Sequence, residues 1–404
     1  MPEFDYSSLR RFPDVEAPNL QAWDATDELL VQAALAAEVP GTEIAVIGDG
    51  YGAIALALTD AGLHGIRVHQ DLVTGRQALA ANSVALGLTD WVAHELDREL
   101  LDGAHLVLVQ LPKALAELEE IADAVARWAA PDATLIAGGR VKHMTLAQNE
   151  VLARFFGHVQ PQRAERKSRL IMASAALSVP ATPPFPISQT HDLDEKPYST
   201  SETTSARVSR AQSGFSAGGL AGHTSLTLAA HGGAFAGAKL DIGTRALLET
   251  MATLAIPVVN PHVIDLGCGT GALAAAFARQ HPDAVIIATD RSASAVRSAR
   301  ATMAANGLEG RVHVTLDDAG SELPDASADL ILLNPPFHLG ASVHEGAGQR
   351  LIQAAARLLK PGGEVWTVFN SHLDHRRALS RDIGATEQVA RTPKFTVTRS
   401  IRRG

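Results

Sequence analysis

The chain carries the same pattern twice, once in each half of its 404 residues. In each copy an apolar run leads into a glycine-rich loop, an apolar helix-forming segment, a second apolar run and an aspartate. Gly52 precedes Asp71 by 19 positions, and Gly271 precedes Asp290 by 19 positions. Strands that alternate with helices in this way are typical of parallel sheets covered on both faces. We therefore predict two tandem, doubly wound α/β domains that arose by duplication.

The boundary between the two copies is marked by a change in composition. Residues 178–212 are rich in Pro, Ser and Thr and show no hydrophobic period. Such a stretch cannot build a packed core. We interpret 1–177 as the first domain, 178–212 as a linker and 213–404 as the second domain. Within the domains, the clearest apolar runs predict strands at 44–47, 106–109, 263–266 and 330–333.

The last of these runs ends in the segment Asn334-Pro335-Pro336-Phe337-His338. Ligands bind at the carboxyl ends of strands in open α/β sheets, so this segment falls where a site is expected. The prolines stiffen the loop, the Asn334 side chain and the Pro335 carbonyl offer acceptor oxygens, and Phe337 offers a flat apolar face. Together they predict a site for a planar group that carries an amino nitrogen.

The first copy lacks these features at the matching strand end. Its residues 104–113 align with 328–337, which places Gln110 opposite Asn334 and Lys113 opposite Phe337. It also has Val46 where the second copy has Asp265. We infer that the first copy is degenerate and that the second is the catalytic one.

The glycine loop of the second copy indicates a nucleotide-containing cofactor. Asp265 precedes Gly267, Gly269 and Gly271, and backbone N–H groups at the start of the following helix can approach a ligand closely. The loop alone also satisfies the dinucleotide pattern, with Asp290 near the ribose position, so NAD and S-adenosylmethionine are rivals. Asp265 and the Asn-Pro-Pro-Phe segment favour S-adenosylmethionine.

These motifs resemble class I S-adenosylmethionine-dependent methyltransferases that act on exocyclic amino groups. Along its whole length the chain is similar to the two-domain ribosomal RNA guanine-N2 methyltransferases, in which a degenerate methyltransferase-like domain precedes an active one. It is closer to the large-subunit enzymes than to the small-subunit relative. The segments that carry this resemblance are LQAWDATDELL (20–30), VQLPK (109–113), KLDIGTRALLE (239–249), LNPPFH (333–338), FNSHLDH (369–375) and PKFTV (393–397).

The resemblance implies two Rossmann-like methyltransferase domains and a role for each residue of the site. Asp290 would bind the ribose hydroxyls, and Asp318, or its neighbour Asp317, the adenine amino group. Asp265 and the three glycines of its loop would line the methionine and ribose part. Asp241 and Gly243 would close over the cofactor, although a helix cap is an equally good interpretation of them.

The same resemblance implies ribosomal RNA as the substrate and guanine N2 as the methylated atom. Asn334 Oδ1 and the Pro335 carbonyl would accept hydrogen bonds from the two N–H groups of the amine, and Phe337 would stack on the extruded base. The Asn-Pro-Pro-aromatic segment also serves adenine N6 and glutamine N5 methyltransferases, which remain alternatives. A non-catalytic RNA-binding assembly factor is a third hypothesis, which the intact second-copy motifs disfavour.

Composition limits the remaining possibilities. The net charge of −9 argues against bulk electrostatic binding of nucleic acid but permits local basic patches. One cysteine, no metal-ligand spacing and no apolar run of membrane-spanning length predict a cytoplasmic protein without a resident metal or membrane partner. We expect a monomer. Two sets of basic residues are candidates for RNA phosphates: Arg163, Arg166, Lys167 and Arg169 in the first half, and Arg376, Arg377, Arg381, Arg402 and Arg403 in the second.

Overall fold

The computed structural model describes residues 4–193, 225–251, 258–335, 342–373 and 375–404, with the backbone alone at 342–347. The first half of the chain folds around a seven-stranded sheet. Its strands are β1 (Ile44–Ile47), β2 (Ile66–His69), β3 (Trp91–Ala93), β4 (Leu106–Gln110), β5 (Thr134–Arg140), β6 (Phe156–Pro161) and β7 (Ser168–Ala176). Its helices are α1 (Ala25–Ala36), α2 (Ala53–Asp60), α3 (Val73–Leu86), α4 (Arg98–Leu101), α5 (Leu115–Trp128) and α6 (Leu146–Ala153).

A two-stranded antiparallel ribbon follows, and then a second seven-stranded sheet. The ribbon consists of β8 (Ile187–Asp192) and β9 (Ser225–Ala230). The strands of the second sheet are β10 (His262–Leu266), β11 (Val285–Asp290), β12 (Val312–Leu316), β13 (Ala328–Leu333), β14 (Leu359–Asn370), β15 (Gly384–Arg391) and β16 (Phe395–Arg402). Its helices are α7 (Ile242–Met251), α8 (Ala272–Gln280), α9 (Ala293–Ala305), α10 (Ser342–Leu358) and α11 (His375–Asp382).

The two sheets have the same topology. The first runs β3-β2-β1-β4-β5-β7-β6 and the second β12-β11-β10-β13-β14-β16-β15. In each sheet five strands are parallel, and the last two strands of the chain segment pair antiparallel at one end. The prediction of two Rossmann-like α/β domains is confirmed.

Burial on both faces explains why the strands are apolar without alternation. In β4, Val107 and Val109 pack into a core with α4, α5 and α6, while Leu106 and Leu108 pack into a second core with α1 and α2. Period-2 alternation therefore sends neighbouring side chains into two different cores, and each core needs an apolar residue.

The four predicted strands lie close to those observed, whereas the linker differs from its prediction. The strand predicted at 44–47 is β1, and those predicted at 106–109, 263–266 and 330–333 each extend by one or two residues. The segment 178–212 does not lack regular structure throughout, because β8 lies within it and pairs with β9, the first strand after it. Backbone pairing supplies the order that its polar side chains do not. Residues 194–212 lie outside the described ranges, and the domain boundaries stay predictions.

Candidate active site

Asn334 lies directly after β13, half-buried at the carboxyl edge of the second sheet. Its amide nitrogen donates hydrogen bonds to Thr244 Oγ1 at 3.0 Å and to Asp241 Oδ2 at 3.3 Å. Two acceptors on one side fix the orientation of the amide, since an amide oxygen there would face two oxygens. Within the described ranges no hydrogen-bond donor reaches Asn334 Oδ1.

Asp241 and Thr244 belong to the start of α7. Asp241 Oδ2 accepts hydrogen bonds from the backbone N–H groups of Gly243 at 3.0 Å and Thr244 at 3.2 Å, which makes Asp241 a helix cap. Asp241 therefore caps α7, and the same carboxylate also contacts Asn334. Sequence inspection missed Thr244 altogether, although the KLDIGT segment that contains it was singled out.

The first copy has a related contact at its own strand end. The side chain of Gln110 donates to the buried carboxyl group of Asp27, which lies in the first turn of α1. Burial raises the pKa of Asp27 to about 7, and the nearby Asp49 carboxylate adds to the shift. Both copies therefore tie the strand-end amide to the helix that precedes the sheet, but in the first copy the partner is a buried acid.

Asp265 and the glycine loop lie at the carboxyl end of β10. Asp265 Oδ2 accepts a hydrogen bond from Ala274 N at 2.9 Å, which ties the strand to the first turn of α8. Gly271 caps that helix with φ +76°, and a Cβ there would lie 2.8 Å from Met303 Cε. The loop requires glycine at this position both for its backbone conformation and for its close approach to α9.

Asp290 ends β11 beside this loop. Its Oδ2 accepts a hydrogen bond from Gly269 N at 2.9 Å, and its Oδ1 accepts one from Ser292 N at 3.0 Å. The carboxylate thus joins the glycine loop to the start of α9. A Cβ built on Gly269 would meet no atom within 4 Å, so the loop faces open space there.

Burial governs the electrostatics of both carboxyl groups. It raises the pKa of Asp265 to about 7, against the hydrogen bond from Ala274 and together with the Asp290 charge. Burial also raises the pKa of Asp290, while the N–H groups of Ser292 and Gly269 oppose the shift. A ligand that donates hydrogen bonds to Asp290 would favour its charged form.

Asp317 and Asp318 follow β12 but have different surroundings. Asp317 Oδ1 accepts from Ser321 Oγ at 2.6 Å and its Oδ2 from Glu322 N at 3.1 Å, so both oxygens are engaged in one local turn. Asp318 forms an ion pair of 2.6 Å with Arg350 on α10. Burial raises the pKa of Asp318, and the Arg350 charge opposes that shift.

The sequence-predicted residues therefore converge at one edge. Asn334 and Pro335 follow β13, Asp265 and Gly267 belong to β10 and its loop, and Asp290 ends the neighbouring strand β11. Phe337 and His338, together with Pro336, lie outside the described residues, so their predicted roles stay predictions. Arg350, which pairs with Asp318, was not among the residues predicted from the sequence.

The two basic groups differ in their surroundings. In the first half Arg166 pairs with Glu28, and Arg163 and Lys167 lie exposed at the turn between β6 and β7. In the second half several cations already bind acceptors within their own domain. Arg381 pairs with Asp382 at 2.6 Å, Arg402 donates to the Leu359 carbonyl, and Arg403 donates to the carbonyls of Ser380 at 2.8 Å and Arg381 at 3.2 Å.

Two family models match the chain. The RLMG N-terminal domain matches residues 2–177, and the methyltransferase small domain matches residues 225–399. Ribosomal RNA large subunit methyltransferase G of Streptomyces coelicolor is 34% identical over 401 residues, which cover 98% of this chain and 97% of that protein. The same enzyme of Stutzerimonas stutzeri is 33% identical over the full length of both chains.

The chain belongs to the ribosomal RNA large subunit methyltransferase G family. A solved structure with the same two-domain fold is the Thermus thermophilus 16S rRNA N2 G1207 methyltransferase in complex with AdoMet and guanosine. It has a TM-score of 0.72 and 21% identity and covers 96% of this chain. The model that matches residues 225–399 is that of a methyltransferase domain, which agrees with the predicted cofactor S-adenosylmethionine.

The residues at the edge of the second sheet fit that cofactor. The open side of the glycine loop at Gly269 leaves room for a ligand, and the Asp290 carboxylate beside it can accept hydrogen bonds from ribose hydroxyl groups. Among the described residues, no group of three or more His, Cys, Asp or Glu is arranged to hold a metal ion. Nor is any helix in those ranges both long enough and apolar enough to cross a membrane.

Proposed function

We propose that this protein transfers a methyl group from S-adenosylmethionine to the exocyclic N2 amine of a guanine in large-subunit ribosomal RNA. The observation that carries the proposal is the anchored amide of Asn334, found in a chain whose two domains both match the family. Ribosomal RNA as the substrate also implies that the protein acts in the cytoplasm.

The chemistry of the amine explains why the anchored amide matters. The lone pair of a guanine N2 amine is delocalised into the ring, so the amine is a weak nucleophile. Asn334 Oδ1 and the Pro335 carbonyl accept hydrogen bonds from its two N–H groups. These hydrogen bonds localise the lone pair on the nitrogen and direct it away from the two oxygens. Thr244 and Asp241 hold the Asn334 amide in the one orientation that presents Oδ1.

The cofactor supplies an electrophilic methyl group on a sulfonium sulfur. Phe337 stacks on the extruded base and keeps the amine in line with that methyl group. The transfer would form an N–C bond and break the S–CH3 bond of the cofactor, which would leave as S-adenosylhomocysteine, and the same two oxygens would stabilise the positive charge that the amine nitrogen gains. The amine then releases one proton to solvent, and the product is N2-methylguanine.

The remaining carboxylates bind different parts of the cofactor. Asp290 accepts hydrogen bonds from the ribose hydroxyl groups, and Asp265 with its glycines lines the methionine and ribose part. We assign adenine recognition to Asp318 rather than Asp317, because both oxygens of Asp317 are already engaged within the turn. Asp241 and Gly243 act mainly through Asn334 and the start of α7.

Product analysis tests the proposed function directly. The protein is incubated with labelled S-adenosylmethionine and unmodified large-subunit RNA, naked or in ribosomal particles, and the digested nucleosides are examined by mass spectrometry. We expect N2-methylguanosine as the labelled product. N6-methyladenosine would show adenine methylation instead. Label in ribosomal protein, or no transfer to either RNA form despite cofactor binding, would contradict the RNA assignment.

The charge of the carboxyl-terminal part supports an RNA-binding surface next to this site. Residues 371–404 contain eight Lys or Arg and three Asp or Glu, a balance of +5 in a chain whose net charge is −9. Ser371 N donates to the Lys394 carbonyl at 2.8 Å, so Lys394 lies beside the carboxyl end of β14. Arg376 and Arg377 are exposed in the first turn of α11, just beyond that strand end. We propose that these cations bind RNA phosphates.

Charge reversal separates the two basic groups. The double variant Arg376→Glu/Lys394→Glu should lower the affinity for ribosomal RNA by roughly tenfold or more at 0.1 M salt, and should reduce the salt dependence of binding. Gel-shift titrations at several salt concentrations measure both quantities. The matched variant Arg163→Glu/Lys167→Glu reverses two exposed cations of the first half. A larger loss of RNA affinity in that variant would indicate that the RNA-binding surface lies on the first domain.

A further inference from the structure

Asp71 of the first domain contacts the start of α9 in the second. Its Oδ2 accepts a hydrogen bond from Ser292 Oγ at 2.6 Å, and its Oδ1 accepts from Ser294 N at 2.8 Å and Ser294 Oγ at 2.5 Å. Two backbone bonds flank this contact, from Val73 N to the Arg291 carbonyl at 2.8 Å and from Ala293 N to the Asp71 carbonyl at 2.9 Å. Five hydrogen bonds therefore join two short segments of different domains.

The position of Asp71 in the repeat makes this contact informative. In the structure Gln70, not Asp71, takes the place of Asp290, because Val46 pairs with Val68 in the first sheet and Asp265 pairs with Ala288 in the second. Gln70 Oε1 accepts a hydrogen bond from Leu72 N at 3.0 Å, as Asp290 Oδ1 does from Ser292 N. Asp290 bonds within its own domain, to Gly269 N and Ser292 N. Among the described residues, the side chain of Asp71 instead accepts hydrogen bonds from the second domain only. Asp71 thus differs from the cofactor acid Asp290 both in its place in the repeat and in its partners.

The first domain has no room for a cofactor at this place. The cavity lined by Gly48, Asp71 and Gln110 of the first domain and by Ser294 of the second has a volume of about 60 Å³. Sites for drug-sized molecules have volumes of about 300–1,000 Å³. The second domain packs closely against the first next to this cavity, because a Cβ on Gly232 would lie 2.2 Å from the Ala116 carbonyl oxygen.

A short chain of hydrogen bonds links Asp71 to the cofactor acid. Ser292 Oγ donates to Asp71 Oδ2 and accepts from Ala295 N at 3.2 Å, so Asp71 fixes the direction of the hydroxyl that caps α9. The backbone N–H of the same Ser292 donates to Asp290 Oδ1. Whatever holds Ser292 in place therefore also holds the Asp290 carboxylate.

We propose that Asp71 is a positioning residue for cofactor binding in the other domain, where it fixes the start of α9 and, through Ser292, the Asp290 carboxylate. The inference rests on the proposed role of Asp290 at the cofactor ribose. It gives the degenerate domain a defined part in the reaction, because its Asp71 preorganises the cofactor site of the active copy.

Positioning and charge predict opposite outcomes when Asp71 is removed. Burial is the main cause of the raised pKa of Asp290, and the charge of the nearby Asp71 carboxylate adds to it. If charge alone mattered, the loss of Asp71 would make Asp290 a better acceptor and strengthen cofactor binding. If position matters, the loss of Asp71 loosens Ser292 and weakens cofactor binding.

Calorimetric titration of the full-length protein with S-adenosylmethionine distinguishes the two. We expect Asp71→Ala to raise the dissociation constant roughly tenfold, while kcat at saturating cofactor stays within about twofold of wild type. Asp71→Asn has the same shape and keeps an oxygen for Ser294 N, so it should recover part of the affinity and guards against a folding defect in the alanine variant.

Glu120→Gln is the matched control. Glu120 also crosses the interface, where it accepts hydrogen bonds from His231 Nδ1 and Gly232 N at 2.7 Å and pairs with Arg297 one turn along α9. It should leave the dissociation constant within about twofold. An unchanged or lower constant in Asp71→Ala, or an equal rise in Glu120→Gln, would overturn the proposal. Failure of the wild-type protein to bind S-adenosylmethionine would instead overturn the proposed function.

Discussion

Asn334→Ala should lower kcat for methyl transfer by roughly 10²–10³-fold, the loss seen when one preorganised polar group is removed from a transition state. The variant loses the oxygen that accepts an N–H of the amine, while the N–H groups of the cofactor site are untouched. Affinity for S-adenosylmethionine should therefore change little. Single-turnover transfer of labelled methyl to unmodified ribosomal RNA measures the rate, and calorimetry measures the affinity.

Two further variants calibrate this result. Gln110→Ala makes the same truncation at the matching strand end of the first domain and should retain activity. Thr244→Val removes one of the two acceptors that orient Asn334 and should lower kcat by about tenfold, with recovery in Thr244→Ser. Full activity in Asn334→Ala, or an equal loss in Gln110→Ala, would contradict the assignment of catalysis to the second domain.

Asp290→Ala should raise the dissociation constant for S-adenosylmethionine by about 100-fold. Two hydrogen bonds from ribose hydroxyl groups to a carboxylate are lost, and hydrogen bonds to charged groups contribute about 1.5–3 kcal/mol each. The variant also leaves Gly269 N and Ser292 N without their acceptor, which loosens the loop against α9. Calorimetric titration of the full-length protein measures the change.

Asp283→Ala provides the comparison for this experiment. Asp283 is exposed in the loop before β11, at the amino end of the strand, whereas Asp290 lies at its carboxyl end. It should bind the cofactor like the wild-type protein. Cofactor affinity in Asp290→Ala within a few-fold of wild type would mean that the ribose is held elsewhere and would remove Asp290 from the site.

Much of the fold was predictable because its signals are local. The apolar run of β4 and the glycine loop before α8 lie within a few residues of the structure they specify, and each has a counterpart in the other copy. The ribbon of β8 and β9 was not predictable in the same way. The polar side chains of β8 carry no strand signal, and its partner lies more than 30 residues further along the chain.

The choice between Asp317 and Asp318 illustrates a limit of a different kind. Adjacent residues at a strand end differ in direction, and sequence positions alone do not fix which of them turns into a local loop. The structure separates them by their partners, since Ser321 and Glu322 engage Asp317 and Arg350 engages Asp318. These contacts depend on the path of the chain after β12.

By itself the sequence determined that the chain is a duplicated α/β protein, that the second copy carries the intact motifs, and which family it resembles. Spacing, glycine and hydrophobic pattern act over short distances along the chain, so they can be read directly. Only the tertiary structure decided that Thr244 contacts Asn334 across 90 residues and that Asp71 contacts Ser292 across 221 residues. Such contacts arise from the docking of helices and domains, which no local pattern records.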